Sequence, residues 1–287
     1  MVDPPHHTAP NEGTPHMNQL ATRDGFPERT FTAEDGYTGP VLADVTCPTG
    51  TVYAHVDPAA TVATVRVLTR EDRDSAAAEA VRNTRISQSA ERLVVVVPDV
   101  PAAAQQFNGM SFGGGMTVIN GVRYTGNVTV VNGNVIGGGT AQHISTGVEV
   151  HITLPAGSGI RSRSENGTLR ASGVVAAIEA EATNGSITAE CVGRIKAEAG
   201  NGSVKVGRVT EWIDAEASNG SVKVEEYAGS ACRVRAGNGS VNLTVARAAS
   251  GRIDVKAGNG SVKLYGVRGR TDLDVNASAG NGTVKKF

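Results

Sequence analysis

The sequence predicts an all-β protein, a single-chain β-helix (β-solenoid) of about 18–22 residues per coil with one short helix in its N-terminal half. Three observations predict this fold. An Asn-Gly-Ser/Thr tripeptide occurs seven times at near-even spacing in the second half of the 287-residue chain. Apolar residues recur at fixed distances on both sides of it, and the charges just before it alternate in sign.

The tripeptide provides the alignment for all other rows. Its asparagines are Asn166, Asn184, Asn201, Asn219, Asn238, Asn259 and Asn281. We expect the glycine to adopt a positive φ and the asparagine to tolerate the left-handed region. Stacked asparagine side chains are expected to form a hydrogen-bonded ladder along the coil axis. We interpret the tripeptide as a structural turn. A glycosylation sequon is disfavoured because the sequence shows no secretion signal and turns buried in a stack are poor acceptors, and a calcium-binding repeat is disfavoured because the turns contain no aspartate.

Three rows of small or apolar residues follow from this alignment. Six residues before each asparagine stand Ile160, Ile178, Ile195, Ile213, Cys232, Ile253 and Val275. Two residues before it stand Ser164, Ala182, Ala199, Ala217, Ala236, Ala257 and Ala279. Three residues after it stand Leu169, Ile187, Val204, Val222, Val241, Val262 and Val284. The two rows before the turn are separated by an even number of residues, so they lie on the same face of a β-strand, in which side chains alternate between faces. The row after the turn predicts a second strand.

Charged residues five positions before each asparagine predict in-register stacking. They are Arg161, Glu179, Lys196, Asp214, Arg233 and Asp254, with Asn276 in the last copy. If the coils stack about 4.8 Å apart, each charge lies between two opposite charges. Because exposed pairs contribute only about 0.2–1 kcal/mol each, we expect their main effect to be on register.

The chain divides into three predicted regions. Residues 1–30 are rich in Pro, His, Asn and Thr and are expected to form a disordered arm. Residues 31–160 are expected to form N-terminal β coils, with a helix over about residues 74–84 that begins at Asp74 or Ser75. The same region contains a Gly-rich inserted β-ribbon over about residues 104–144. Residues 161–287 form the regular solenoid repeats.

Composition excludes several classes of function. Residues 161–287 contain 18 Lys and Arg against 13 Asp and Glu, a net charge of +5 that is too small for a specific nucleic-acid binder. Three scattered cysteines form no disulfide framework and no metal motif, so we expect neither a cofactor nor a metal. The segment MVDPPHHTAP lacks the regions of a signal peptide, and no apolar run spans a membrane. We therefore expect a cytoplasmic protein.

One outward row, four residues after each asparagine, is basic. Its cations are Arg170, Lys205, Lys223, Lys263 and Lys285, and we name this set the basic stripe. The stripe is a candidate binding surface for an unknown protein or an anionic polymer, and its alternative role is to keep the face soluble. Trp212 precedes a core isoleucine and either contacts a partner or covers a corner of the core. Cys232 is expected to be a small buried hydrophobe.

Two other functions stay open. The first is end-to-end self-assembly, because a solenoid end exposes unpaired strand edges, although Lys285 and Lys286 oppose such pairing. The second is a carbohydrate-active β-helix enzyme, for which the outward row of Glu181, Glu198 and Glu216 provides carboxylates. Because His55, His143 and His151 are dispersed with no evident nucleophile, we predict no catalytic residues and a non-catalytic protein.

Coils of the form IKAEAGNGSVKV and IDAEASNGSVKV, preceded by strands, one alanine-rich helix and a Gly-rich insert, resemble a known bacterial family. This is the "putative adhesin" family with β-strand repeats, a domain of unknown function. The resemblance covers roughly residues 40–287. It implies a single-chain β-helix and, by analogy, an adhesin-like scaffold, and it implies no catalytic residues.

Overall fold

The computed structural model describes residues 18–23, 26–32, 37–71, 73–100 and 147–287, together with short strands between residues 110 and 143. The N-terminal part contains seven strands and one helix. They are β1 (Asn18–Arg23), β2 (Phe26–Thr32), β3 (Leu42–Thr46), β4 (Thr49–Val56), β5 (Thr64–Leu68), α1 (Ala76–Asn83), β6 (Arg85–Ser89) and β7 (Arg92–Val96).

Six short strands fall within the predicted β-ribbon. They are β8 (Met110–Phe112), β9 (Met116–Ile119), β10 (Val122–Thr125), β11 (Val128–Val131), β12 (Asn134–Val135) and β13 (Ala141–His143). They form two separate three-stranded antiparallel sheets, in the orders β13-β10-β9 and β12-β11-β8. The two Asn-Gly steps of this ribbon, at residues 120–121 and 132–133, lie outside the described residues.

The solenoid strands follow from residue 148 onward. They are β14 (Val148–Leu154), β15 (Gly159–Ser164), β16 (Asn166–Ala182), β17 (Ile187–Ala199), β18 (Val204–Ala217), β19 (Val222–Tyr227), β20 (Ala231–Ala236), β21 (Val241–Val245), β22 (Gly251–Ala257), β23 (Val262–Tyr265), β24 (Leu273–Ala279) and β25 (Val284–Lys286). The long strands β16, β17 and β18 each run through a corner, so their two halves belong to different faces of the solenoid.

Each coil contributes one strand to each of two stacks, which we name by their position relative to the Asn-Gly turn. The upstream sheet holds the strands before the turn, in the order β6-β7-β3-β15-β16-β17-β18-β20-β22-β24. The downstream sheet holds the strands after it, in the order β1-β2-β5-β14-β4-β16-β17-β18-β19-β21-β23-β25. From β7 and from β14 onward, every pairing is parallel.

The stacked parallel strands confirm the predicted β-solenoid, with about six turns between Asn166 and Asn281. The predicted apolar rows lie in register, since Ile160, Ile178 and Ile195 are direct neighbours on adjacent strands. Apart from Ser164 and the exposed Val284, these rows belong to one continuous core together with the N-terminal strands. Branched aliphatic and alanine side chains from the two sheets fill a narrow space that has little room for rings, which accounts for the 4% aromatic content.

The N-terminal end of the core is covered by α1 and antiparallel strands. Ser75 is the N-cap of α1, since its side chain accepts a hydrogen bond from the Ala78 N–H at 3.0 Å. The helix packs its buried alanines and Val81 against the core beside β2, β5 and β14. This arrangement covers strand edges that an open solenoid would expose.

The sequence predicts a disordered arm up to residue 30. In the structure, β1 and β2 form an antiparallel pair from residue 18 onward. Strand β2 pairs with β5, buries Phe31 and forms an ion pair between Glu28 and Arg66, with two hydrogen bonds of 2.5 and 2.9 Å. A partner strand nearly forty residues further along the chain therefore orders a segment that is polar in composition. Residues 1–17 lie outside the described residues.

The expected reason for glycine in the tripeptide is wrong. None of these glycines has a positive φ, and among the described non-glycine residues only Ala90 does, so the asparagines are not left-handed either. Glycine is required instead because the stacked turns leave no room for a side chain. A Cβ on Gly185 would overlap the carbonyl oxygen of Gly167 in the preceding coil, and the other stacked turns repeat this close approach. Any side chain at this position would push two coils apart.

Coils of unequal length differ on the side away from the asparagines. Successive asparagines are separated by 18, 17, 18, 19, 21 and 22 residues. In the longer coils, the extra residues lie in the connections 228–230, 246–250 and 266–272. Arg270 braces two of these connections, since its guanidinium donates to the carbonyl groups of Ala246 and Ala249. Register at the Asn-Gly turns is thus independent of coil length.

Candidate binding surfaces

The seven asparagines form one hydrogen-bonded column. In each step, the Nδ2 of one asparagine donates to the Oδ1 of the asparagine in the preceding coil. The six N–O distances lie between 2.6 and 2.8 Å, from the Asn184–Asn166 pair to the Asn281–Asn259 pair. Every inner asparagine both donates and accepts, so the column fixes the vertical alignment of all the coils.

The serines of the tripeptide add a second column beside it. The Oγ atoms of Ser186, Ser221 and Ser240 accept from the backbone N–H of the equivalent serine one coil later, at 3.1 to 3.3 Å. The turn side of the solenoid is therefore occupied by internal hydrogen bonds. It has a structural role, and its polar groups are already paired with one another.

The upstream sheet carries charges that neutralise one another. Arg161 and Glu179 lie on adjacent strands and are 2.6 Å apart, and their hydrogen bond raises the pKa of the Arg161 guanidinium. Arg233 lies 3.7 Å from Asp214 on the neighbouring strand. Lys196 instead pairs along its own strand with Glu198, at 3.2 Å. Opposite charges thus alternate in register along this one column, which lies five residues before each asparagine.

The downstream sheet places the basic stripe in one exposed column. Direct pairings join Arg170 to Thr188, Thr188 to Lys205, and Lys205 to Lys223, and continue through Asn242 to Lys263 and Lys285. All five cations are exposed. Lys223 pairs with Glu225 at 2.8 Å, and this hydrogen bond lowers the pKa of Glu225. Within the described part of the chain, the other four cations lie in no ion pair.

The predicted carboxylate row also lies in register. Glu181, Glu198 and Glu216 are neighbours on three adjacent strands and line a depression of about 300 Å³. Glu198 is paired with Lys196, and Glu216 lies 3.9 Å from Arg235. Within the described residues, no group of three or more His, Cys, Asp or Glu side chains has the arrangement of a metal site.

The structure brings together two residues that sequence reasoning left apart. His55 and Ser172 are register partners on β4 and β16, and His55 Nδ1 lies 2.9 Å from Ser172 Oγ. This contact is exposed and does not line the depression beside Glu198. His151 is occupied differently, because it stacks on Tyr53 at 4.7 Å and lies 3.1 Å from Glu149. The side chain of His143 lies outside the described residues.

A second depression, on the upstream sheet, was not found from the sequence. Trp212, Ala231 and Arg252 are consecutive in one outward column, and the small Ala231 leaves a gap between the two long side chains. The resulting depression has a volume of about 360 Å³ and is also lined by Asp214, Arg233 and Asp254. Reading the column seven residues before each asparagine would have revealed this order of side chains.

The described cysteines are all free, and two are deeply buried. Burial raises the pKa of the Cys47 thiol to about 12. Burial also raises the pKa of Cys232 to about 12, and the negative charges of Asp254 and Asp214 add to the shift. Cys232 is 4% exposed and packs in the apolar row as predicted. Neither buried thiol is available as a nucleophile at neutral pH.

The outermost described coil has one exposed side. Strands β24 and β25 each pair with only one strand among those described, and Val284 is 38% exposed. Lys286 occupies a position that is apolar in the preceding coil, where its register partner is Leu264. Its ammonium group reaches the carbonyl oxygen of Val275 at 3.5 Å. A lysine at a core position opposes the stacking of another strand on this surface.

Comparison with known proteins identifies similar structures but no family model. No family model matches the sequence, and no curated protein matches it. The chain is similar to crystal structures described as a "putative adhesin" from Bacteroides fragilis (TM-score 0.45) and from Parabacteroides distasonis (TM-score 0.46). It is also similar to a "putative cell adhesion protein" from Clostridium sporogenes (TM-score 0.35).

All three structures are 12% identical to this chain, and the matches cover 91–92% of it and 98% of each of them. The predicted resemblance is confirmed to this extent, since the similar structures carry the adhesin description. None of the three is described as an enzyme. These values describe a likeness in chain path and carry no information about what this chain binds. The described residues contain no helix long and apolar enough to cross a membrane.

Proposed function

We propose that this chain is a non-catalytic, adhesin-like scaffold that binds a polyanion, either an acidic protein or an anionic polymer, along the basic stripe. The observation that carries the proposal is the arrangement of charge on the downstream sheet. Four cations of the stripe have no carboxylate partner among the described residues, although the fold stacks them in one column.

Stacking like charges in a column has a cost. Lys205 and Lys223 are direct neighbours, as are Lys263 and Lys285, and strands in a sheet lie about 4.8 Å apart. Like charges directly opposite each other in a sheet are destabilising. The upstream column that begins with Arg161 and Glu179 avoids this destabilisation because its charges alternate, so the fold itself does not require a single-sign column. A polyanion lying along the solenoid axis would neutralise the stripe at several coils at once.

The test compares charge reversal in the stripe with charge reversal at exposed cations elsewhere. The stripe variant is Lys205→Glu, Lys223→Glu and Lys263→Glu. The control variant is Arg85→Glu, Arg247→Glu and Arg268→Glu, three exposed residues outside the stripe, which changes the net charge by the same amount. Binding to immobilised polyglutamate and to heparin is measured by titration at several salt concentrations.

We expect the stripe variant to lose at least about a hundredfold in affinity, on the basis of about 1 kcal/mol for each basic residue near an anionic surface. Binding by the unmodified chain should weaken as salt increases, because the contacts are exposed. The control variant should retain most of the affinity. Equal losses in both variants would show a general effect of net charge and would overturn the assignment to the stripe.

A further inference from the structure

We propose that the depression between Trp212 and Arg252 on the upstream sheet binds one neutral sugar residue of a glycan. We name this depression the Trp212 notch. It lies on the opposite sheet from the basic stripe, so it is a second, independent binding site. Its walls are Trp212 and Arg252, and its floor is Ala231.

The dimensions of the notch suit a single ring. Trp212 and Arg252 lie on strands two positions apart, so their backbones are separated by roughly 9–10 Å. A ring in contact with both walls requires about 3.5–4 Å on each side. The volume of about 360 Å³ is at the small end of ligand pockets, which range from about 300 to 1,000 Å³. The exposed Trp212 provides an aromatic face for the C–H groups of a sugar.

The polar groups of the notch suit a ligand that both donates and accepts hydrogen bonds. Asp214 and Asp254 only accept, whereas Arg233 and Arg252 only donate. Hydroxyl groups around one ring meet both demands, since each hydroxyl donates and accepts. An aromatic side chain has at most one such group. The two carboxylates balance the two guanidinium groups, so the notch is matched to a neutral ligand rather than to an anion.

One buried atom indicates that this set of groups is incomplete. The Oδ1 of Asp254 is buried, and no donor among the described residues makes a hydrogen bond to it. The nearest cation, Lys256 Nζ, lies 3.9 Å away, which is too long for a hydrogen bond. Leaving a carboxylate oxygen buried without a partner costs free energy. Turning the Asp254 carboxylate toward the notch would bring this oxygen within reach of a ligand hydroxyl, which would supply the missing donor.

The test uses the single tryptophan of the chain as its reporter. Maltohexaose, cellohexaose, mannohexaose and chitohexaose are titrated separately while Trp212 fluorescence is recorded. An oligogalacturonate and N-acetyltyrosinamide serve as the anionic and aromatic probes. We expect a saturable change in emission with at least one neutral hexasaccharide, and none with the other two probes.

Variants locate the site. Ala231→Leu fills the floor of the notch without changing charge, and Ala177→Leu is its control in the same outward column. We expect Ala231→Leu and Asp254→Asn to weaken sugar binding at least about tenfold, and Ala177→Leu to leave it unchanged. Circular dichroism checks that each variant is folded. The proposal is overturned if no neutral hexasaccharide binds, if Ala231→Leu binds normally, or if the tyrosine derivative alone responds.

Discussion

The upstream and downstream sheets consist of the same coils and share the same turns, yet the column that begins at Arg161 and the basic stripe carry charge in different ways. On the upstream sheet, a cation such as Arg161 faces an anion such as Glu179 on the next strand. On the downstream sheet, Lys205 faces Lys223. Both columns have the same spacing between strands, and the stripe is the more exposed of the two. The difference shows that in-register stacking permits either pattern, so the single-sign column is a property of the surface and not of the fold.

The largest expected effect comes from breaking the turn that the two sheets share. In Gly220→Ala, the new methyl group would overlap the carbonyl oxygen of Gly202, and the coils above and below must separate. We expect the free energy of unfolding to fall by about 3 kcal/mol or more. Urea denaturation followed by circular dichroism measures the change.

The neighbouring residue provides the control for this turn. Ser221→Ala removes a hydrogen bond of 3.1 Å to the Ser240 N–H and introduces no overlap, so we expect a loss of about 1 kcal/mol. If the two variants unfolded at the same urea concentration, the close approach of stacked turns would not explain the glycine.

A smaller effect is expected from shortening the asparagine column at two different points. Asn201→Ala removes two hydrogen bonds, one to Asn184 and one from Asn219, whereas Asn281→Ala removes only the bond to Asn259. We expect losses of about 2 and about 1 kcal/mol, respectively. Thermal and urea unfolding measure both. Equal losses would mean that the column does not act as a continuous unit across the coils.

The smallest effects are expected from exchanging the charge patterns of the two sheets. Glu179→Lys puts a cation between Arg161 and Lys196, and we expect it to destabilise the fold by about 1 kcal/mol relative to Glu179→Gln. Thr188→Glu puts a carboxylate between Arg170 and Lys205, and we expect it to stabilise the fold by about 0.5 kcal/mol relative to Thr188→Gln.

The two charge variants are measured together by urea unfolding at low and high salt. Both effects should shrink as salt increases, since these side chains are exposed. If Glu179→Lys and Thr188→Glu changed the free energy of unfolding in the same direction, the two charge patterns would not have opposite effects on stability.

The solenoid could be predicted because each coil repeats the same information. Rows such as that of Ile160, Ile178 and Ile195 reveal strands and register without any knowledge of distant partners. Strand β2 lies outside the repeats. Its order depends on pairing with β5 and on the contact between Glu28 and Arg66, which no repeated pattern reveals. Composition alone therefore suggested disorder where a distant strand supplies the hydrogen bonds.

The sites were predictable only in part, for a related reason. The basic stripe is a set of cations in one aligned column, so the sequence displays it directly. The Trp212 notch combines a ring, a small residue and a buried carboxylate from three successive coils. Its decisive atom, Asp254 Oδ1, stands out only once the burial and the hydrogen bonds of each atom are known. The crowding around Gly185 likewise depends on how closely the turns approach, which residue type alone does not report.

The unequal coils have a practical consequence for protein engineering. Because the asparagine column holds register on one side, the connections 246–250 and 266–272 on the other side already accept added residues without shifting β21 to β25. Surface connections of this kind tolerate insertions well. A foreign peptide inserted near residue 248 would thus be displayed from a rigid support. A whole coil, added or removed as a cassette between two asparagines, would move such a peptide along the axis in steps of about 4.8 Å.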